Sequence, residues 1–405
     1  MKLYEKYGLP KEYEMYTLPI EKFLEKNPSA QKFLSDPPNV SKYIKKYEAI
    51  IPINITIEYI KKRRFNTLKA FRELIQNALD ETELVKGKPD VMIYTDDSST
   101  WIRDSGRGIS GSAFIIGTSE KECWMRGYYG EGLKLALGFF LSQGYQVYVF
   151  SNKVFFKPIL FPEDSENPTL YVLLGESNIN SEGTSVVIND FVIDDKILTE
   201  LISFKNPHLR DEVIDAVNVV GDDCRVEKPY VIYDYPNKLY IRNLLIGDMK
   251  TVTKRPSFFS YDIWWFRLDV SRELLTYSMP LLFLEIGKIF ERSDKAREKL
   301  AKKLVESGMV RLKEEYGGTV IEFSPIFGIF EGHLFVYMFP KGVLEKVVEA
   351  LNLGDRKNCI RLFTEQNTPD EIREAIENGI IPFIVSSEIA DKSNLVRYKR
   401  GEKCS

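Results

Sequence analysis

Three polar side chains on one predicted helix could support metal-assisted chemistry. Glu73, Asn77 and Asp80 stand at positions i, i+4 and i+7, so a helix places them on one stripe. An amide oxygen is a hard ligand for Mg²⁺, and a carboxylate one turn away can take a proton from a water molecule. The solvated edge of an ordinary amphipathic helix has the same pattern, so this segment alone does not decide the chemistry.

Two further segments have side chains that could contact a purine base. Asp104 follows a predicted strand, and its carboxylate can accept a hydrogen bond from an exocyclic amine such as that of adenine. Gly106 and Gly108 then let the backbone approach a base or phosphates without an intervening Cβ. Thr184 enters another predicted strand and could place its hydroxyl beneath the purine. Each segment is also a common turn sequence, so only the combination is informative.

A glycine-rich stretch opens a second predicted helix. It contains Gly127, Gly130 and Gly132, and it continues into the helix with Leu133 and Lys134. Glycines before a helix leave several backbone N–H groups free to face a phosphate chain, and the helix dipole favours that anion. The stretch matches neither the Walker loop nor the dinucleotide fingerprint.

In chain order, the first segment contains Glu73, the second contains Asp104, the third is the glycine-rich stretch and the fourth contains Thr184. In this order and context, the four segments resemble the motifs of the GHKL ATPase superfamily. This superfamily includes gyrase B, the large heat-shock chaperones, histidine kinases, MutL, the MORC ATPases and the ATPase subunit of topoisomerase VI. The resemblance covers Lys61 to Asp190, and Gly117–Lys121 is similar to the stretch that precedes the third motif in the chaperone and MORC branches. It implies a Bergerat fold, which is an α/β two-layer sandwich with a mixed, mainly antiparallel sheet covered by helices.

The resemblance also assigns roles to single residues. Glu73 would be the general base, and Asn77 would ligate Mg²⁺. Asp104 would bind the adenine amino group together with Thr184 and water, while Asp80 would support the base pocket. The residues expected to line the purine or contact the phosphates are Gly106, Gly108, Lys121, Gly127, Gly130, Gly132, Leu133 and Lys134.

Two further features are expected from the family. Residues 109–129 would form an ATP lid that the γ-phosphate orders. Most members also bring a basic residue from the following domain to the γ-phosphate. Arg267 and Arg272 are the candidates in this chain, although surface arginines in ion pairs would look the same in the sequence.

The 405 residues are long for one domain, and an α+β fold of several parts is expected. Residues 1–60 are interpreted as an N-terminal extension and residues 61–194 as the ATP-binding domain. Residues 195–345 would form an α/β transducer-like domain, and residues 346–405 a small C-terminal α/β segment.

Patterns in the second half predict individual elements. They indicate a strand at Leu239–Ile246, a long charged helix at Leu281–Glu314 and a strand at Leu334–Met338. The aromatic run Trp264–Phe266 is interpreted as core packing, with base stacking as the alternative. The basic tail 398–403 is interpreted as solvated and disordered, with a phosphate contact as the alternative.

Composition limits the environment and the partners. A net charge of −3 and a pI near 5.8 give no overall electrostatic signature of nucleic-acid binding. Four scattered cysteines without a CxxC pair argue against a zinc site and a disulfide framework, and favour the cytoplasm. The longest apolar stretch is interrupted by polar residues and glycines, so no membrane segment is expected. The Lys, Glu and Ile content resembles that of a thermophile.

The branch of the superfamily decides the expected biology. His208 and His333 both follow the ATP-binding region, which disfavours a histidine kinase. Members of the topoisomerase VI, MORC and chaperone types look most similar, and the branch is left open. One hypothesis is an ATP-hydrolysing switch that forms a homodimer on binding ATP and acts on DNA or a DNA-associated protein. The alternative is a nucleotide-dependent, chaperone-like adaptor with little turnover.

Overall fold

The computed structural model contains two compact units, one covering Met1–Leu201 and the other beginning at Ile202. It describes residues 1–96, 98–115, 122–126, 130–180, 182–221, 224–266, 279–326 and 328–404. Helices accompany a large antiparallel sheet, which agrees with the α+β class predicted from the sequence. Within these ranges, no helix is both long and apolar enough to cross a membrane.

An eight-stranded sheet organises the first unit. Its strands are β1 (Leu18–Pro19), β2 (Ile44–Thr56), β3 (Met92–Thr95), β4 (Ser99–Arg103), β5 (Gln146–Ser151), β6 (Val154–Phe161), β7 (Thr169–Ser177) and β8 (Thr184–Asn189). The order is β1-β2-β7-β6-β5-β8-β4-β3, and every neighbouring pair is antiparallel. The sheet therefore takes strands from both sides of residue 60, where the sequence predicted a domain boundary.

Two long helices pack together in this unit. Its helices are α1 (Leu3–Lys6), α2 (Ile20–Lys26), α3 (Pro38–Ser41), α4 (Ile57–Lys62), α5 (Thr67–Lys86), α6 (Gly132–Ser142) and α7 (Asp195–Leu201). Helix α5 starts where the Asn66 side chain accepts a hydrogen bond from Lys69 N, and it ends at Gly87 in the left-handed conformation. Phe71 of α5 meets Phe140 of α6 with ring centroids 5.4 Å apart, so the two helices share an apolar contact.

The N-terminal segment covers part of the sheet with apolar side chains. Ile20 and Phe23 of α2 form one buried cluster with residues of β2, β6 and β7, and Val40 joins a second with Tyr148 and Phe150 of β5. Since side chains alternate along a strand, Val147 and Val149 of β5, which are also buried, face the opposite side of the sheet. Both sides of this strand are therefore covered.

A buried ion pair fixes this N-terminal segment. Lys157 Nζ of β6 lies 2.8 Å from Asp36 Oδ1, and both side chains are less than a tenth exposed. Asp36 also accepts hydrogen bonds from the hydroxyls of Tyr47 and Tyr148, and Lys157 donates to the Phe33 carbonyl. Because both charges have several polar partners, the cost of burying them is largely offset.

The second unit contains two sheets around a shared core. Its strands are β9 (Val213–Val220), β10 (Glu227–Tyr233), β11 (Lys238–Ile241), β12 (Leu244–Asp248), β13 (Ser260–Ile263), β14 (Val310–Glu315), β15 (Gly318–Phe323), β16 (Ile360–Phe363) and β17 (Ile381–Ile384). The sheet orders are β12-β11-β13-β10-β9 and β14-β15-β17-β16. The smaller sheet takes strands from both sides of residue 345, where another boundary was expected.

Helices surround these sheets. They are α8 (Pro207–Arg210), α9 (Met249–Thr253), α10 (Met279–Arg292), α11 (Asp294–Glu306), α12 (Phe330–Tyr337), α13 (Val343–Ala350), α14 (Pro369–Glu377) and α15 (Ser387–Ala390). One apolar cluster includes residues of both sheets and of α10 to α13. Trp264 and Phe266 belong to it and are almost fully buried, which confirms the prediction that this aromatic run is core.

Three of the predicted elements in this unit are wrong. The expected strand 239–246 is the hairpin β11–β12, because Arg242 and Asn243 both have positive φ angles and reverse the chain. The expected helix 281–314 is α10, α11 and then β14, since Ser293 caps a new helix by accepting a hydrogen bond from Ala296 N. The expected strand 334–338 lies mostly in α12, because tertiary packing outweighs the β propensity of its aromatic residues.

The C-terminal tail also differs from its prediction. Instead of being disordered, it pairs with β16, since Leu362 N donates to Val396 O and Tyr398 N donates to Leu362 O. Cys404 forms a disulfide with Cys359, with Cα atoms 5.2 Å apart. The expectation that the chain lacks disulfides was therefore wrong, because residues distant in sequence meet only after folding.

Candidate functional site

Helix α5 brings Glu73 to the start of α6. A methyl group at Gly132, the first residue of α6, would overlap the Oε2 atom of Glu73, so only glycine allows this approach. Glu73 is 3% exposed although it carries a carboxylate. The first and third predicted segments are thus in direct contact, with a carboxylate at a helix N-terminus.

Asp104 lies at the end of β4 and is held by backbone groups. Its Oδ1 atom accepts hydrogen bonds from Gly106 N at 2.8 Å and Thr184 N at 3.1 Å, while Asp104 N donates to the Thr184 carbonyl. Both side-chain bonds fall on the same oxygen, so Oδ2 is the atom placed to accept from a ligand. Burial raises the pKa of Asp104 to about 6, against the lowering effect of these two N–H donors.

Ser151, at the end of β5, connects the second and fourth predicted segments. Its hydroxyl accepts a hydrogen bond from Ile109 N at 2.9 Å and donates to the Gly183 carbonyl at 3.1 Å. Gly108 has a φ of 89°, and a Cβ there would collide with Ser151 and Asn152. The turn after Asp104 is therefore tightly packed against the β5–β6 hairpin.

Lys134 occupies the first turn of α6 and is completely buried. Its ammonium group donates to the Gly130 carbonyl, which is its only hydrogen-bond partner among the described residues. Burial lowers its pKa to about 8, and the charge of Glu131 partly opposes this shift. A buried ammonium group with one carbonyl partner is well suited to receive an anion.

Asp80 lies in a buried charge cluster on α5. Arg126 donates to Asp80 Oδ1 through its backbone N–H at 2.8 Å and through its guanidinium at 3.1 Å, and the guanidinium also reaches Glu83 Oε2 at 2.8 Å. Asp80 thus holds residue 126 of the predicted lid against α5. Its expected role in a base pocket stays a prediction.

A second ion pair joins α5 to the turn after Asp104. Arg107 donates to Glu81 through Nε at 3.0 Å and through a terminal nitrogen at 2.9 Å, a bidentate geometry. Helix α5 therefore contacts the turn after Asp104 as well as the start of α6.

Several predicted residues are placed without a test of their role. Asn77 is partly exposed on α5, one turn after Glu73, and Leu133 is buried on α6. Thr184 contacts Asp104 through its backbone N–H and carbonyl, and the role expected for its hydroxyl stays a prediction. Outside the described residues lie Lys121, Gly127, Arg267, Arg272 and parts of the predicted lid, namely residues 116–121 and 127–129.

Sequence reasoning missed four residues that the fold brings to this region. They are Ser151, Arg126, Tyr59 and Arg63. None belongs to a motif. Ser151 and Arg126 reach their partners across at least 32 residues, and Tyr59 and Arg63 reach Glu131 by the packing of α4 on α6. The run of basic residues from Lys61 to Arg64 was the one signal that the sequence offered.

The donor set suits Mg²⁺ only if the ion arrives with phosphate ligands. No cluster of three His, Cys, Asp or Glu side chains that could hold a metal occurs in the described part of the chain. Glu73 and Asn77 offer hard oxygen donors, and Mg²⁺ usually combines one or two such groups with water and substrate phosphates. These residues therefore fit a nucleotide-borne Mg²⁺ better than a resident ion.

No known family profile matches the chain, and no curated protein matches it either.

Proposed function

We propose that this chain binds Mg-ATP in a Bergerat-type pocket of the first unit and hydrolyses it. One observation carries the proposal: four segments that are separate in sequence contact one another in series. Glu73 contacts the start of α6, Arg107 pairs with Glu81, and Asp104 is bonded to Thr184. Contacts among all four motif segments are what a single nucleotide pocket would need, whereas four unrelated turns would not require them.

The two ends of a nucleotide would meet different groups. The free Oδ2 face of Asp104 would accept the adenine amino group, and the turn at Gly106 would lie against the base. The buried ammonium of Lys134 and the N-terminus of α6 would bind the phosphates, because a helix dipole and a desolvated cation both favour an anion. Asn77 would ligate the Mg²⁺ that arrives with the phosphates, and this ion would neutralise charge on them.

Glu73 would supply the proton acceptor for hydrolysis. Its carboxylate lies where the phosphate chain would end if that chain rests on the start of α6. In phosphoryl transfer, positioning of the attacking water and stabilisation of charge provide most of the rate acceleration. A carboxylate at this point can orient the water and take its proton.

The direct test compares Mg-ATP binding and hydrolysis by the wild type and Glu73→Ala. The variant should bind ATP with nearly unchanged affinity, measured by calorimetry, while its turnover falls on the order of 10²-fold or more. Glu25→Ala, an exposed site on α2, is the matched control and should behave as the wild type. Equal hydrolysis by Glu73→Ala and the wild type would rule out the assigned base.

The same hydrolysis assay, repeated at several protein concentrations and with added DNA, tests the proposed homodimer and the proposed action on DNA. Turnover that rises more than linearly with protein concentration would support an ATP-dependent homodimer. Stimulation by DNA would support action on DNA or a DNA-bound protein. Binding of ATP without turnover under every condition would instead favour the chaperone-like adaptor.

A further inference from the structure

The residue before α6 carries a carboxylate that points away from the helix it precedes. Glu131 occupies the N-cap position of α6, yet its side chain makes no capping hydrogen bond. Instead, its Oε2 atom accepts a hydrogen bond from the Tyr59 hydroxyl at 3.0 Å and lies 3.6 Å from a guanidinium nitrogen of Arg63. The helix dipole favours a negative charge beside the first N–H groups of a helix, but this carboxylate is directed to α4 instead.

Tyr59 and Arg63 contact each other as well as the Glu131 carboxylate. They lie one turn apart at α4, the guanidinium carbon is 4.8 Å from the centre of the tyrosine ring, and Arg63 also donates to the Tyr59 hydroxyl. Helix α4 packs closely on α6, because a methyl group at Gly138 of α6 would overlap the Ile60 side chain of α4. This packing places the pair beside the start of α6.

We infer that Arg63 and Tyr59 keep Glu131 from occupying the anion site at the start of α6. The inference rests on the proposed function, because that site is where the ATP phosphates would bind. Released from Arg63, the Glu131 carboxylate could turn toward the first N–H groups of α6, where the helix dipole favours a negative charge. It would then compete with phosphate for the same N–H groups and add a second carboxylate beside Glu73. Arg63 is thus a positioning residue that acts through Glu131.

Removal of the arginine should weaken nucleotide binding only while Glu131 keeps its charge. Arg63→Ala should raise the Kd for Mg-ATP on the order of tenfold, the scale of a charge interaction at a helix N-terminus. Glu131→Gln should bind ATP at least as tightly as the wild type. The double variant should recover the affinity of Glu131→Gln, because no carboxylate then competes.

The measurement is the Kd for Mg-ATP of the full chain, determined by calorimetry for the wild type, both single variants and the double variant. Lys62→Ala is the matched control, since Lys62 is on the same helix and pairs with Glu58 in solvent. A double variant as weak as Arg63→Ala would overturn the inference and show that Arg63 itself binds phosphate. An unchanged Kd for Arg63→Ala would also overturn it.

The variant Asp104→Asn distinguishes a wrong pocket from a wrong role of Arg63. If the wild type binds no ATP, or binds it equally well after Asp104→Asn, the proposed pocket is wrong. If the wild type binds ATP and Asp104→Asn does not, the pocket stands and the Arg63 series decides the inference alone. Circular dichroism of each variant distinguishes a lost fold from a lost interaction, and Arg63→Lys, which keeps the charge, should retain most of the affinity.

Discussion

Replacement of Asp104 by asparagine should destroy nucleotide binding and stabilise the folded chain at the same time. The asparagine Oδ1 atom can still accept the hydrogen bonds from Gly106 N and Thr184 N. Its amide nitrogen, however, replaces the oxygen that would receive the adenine amino group. Two donors would then face each other, and affinity should fall on the order of 10²-fold or more, because a buried polar group loses its partner.

The stability gain follows from the pKa of Asp104. Folding raises that pKa from 3.8 to about 6, so the folded state binds the proton more tightly than the unfolded state does. The stability that this tighter proton binding gives the folded state is fully present below pH 3.8 and is lost as the pH rises through 6. Above pH 6, the buried carboxylate therefore costs about 3 kcal/mol of unfolding free energy. The neutral asparagine avoids that cost.

Urea unfolding without nucleotide provides the assay, with Asp164→Asn in an exposed loop as the control. Hydrogen exchange of peptides from β4 and β8 assigns the change to the first unit. The variant should be more stable than the wild type by about 3 kcal/mol at pH 7.5 and by about half as much at pH 5.

The effects of Asp104→Asn on ATP binding and on stability are tested separately. If Asp104→Asn loses ATP binding without any gain in stability, the argument from burial is wrong. A variant that gains stability but binds ATP normally would show that Asp104 does not receive the base. Unchanged stability and unchanged binding would refute the whole assignment of this residue.

The remaining predictions concern a buried charge and a covalent link. Lys134→Met should weaken ATP binding and raise the unfolding free energy by about 3 kcal/mol at pH 7, because burial lowers the lysine pKa from 10.5 to about 8. The cost of burying the charged lysine is present below pH 8 and disappears above pH 10.5. The difference in unfolding free energy between Lys134→Met and the wild type, measured by urea unfolding, should therefore be smaller at pH 10.5 than at pH 7. An equal difference at both pH values would contradict this prediction. Cys404→Ser should destabilise the second unit by about 4 kcal/mol, the loop-closure value for the 45-residue separation of Cys359 and Cys404, and an unchanged Tm in calorimetry would contradict that estimate.

Several elements of the first unit could be predicted from the sequence because their signals are local. A helix was predicted to carry Glu73, Asn77 and Asp80, and the structure has one over Thr67–Lys86. Strand β4 and helix α6 also lie where the patterns indicated. The spacing of Glu73 and Asn77 fixes their common stripe as soon as a helix forms.

The second unit was harder to predict because its elements depend on packing. The hairpin at Arg242 and Asn243 lacks the usual glycine, so it resembled one continuous strand. The segment 334–338 was predicted as a strand, but Leu334 and Phe335 pack into the core as part of helix α12. The C-terminal tail became ordered through pairing with β16 and a disulfide, and no local pattern shows either.

The sequence by itself determined which chemical groups this protein has and how they repeat along each element. It placed Glu73 on one helix, Asp104 after a strand and Lys134 in a first turn, since these positions depend only on local geometry. The tertiary structure decided which groups meet. Packing between distant segments buries Asp104 and Lys134, which shifts their pKa values. It also places Arg63 beside Glu131. Such contacts depend on the whole core, so no single stretch of sequence contains them.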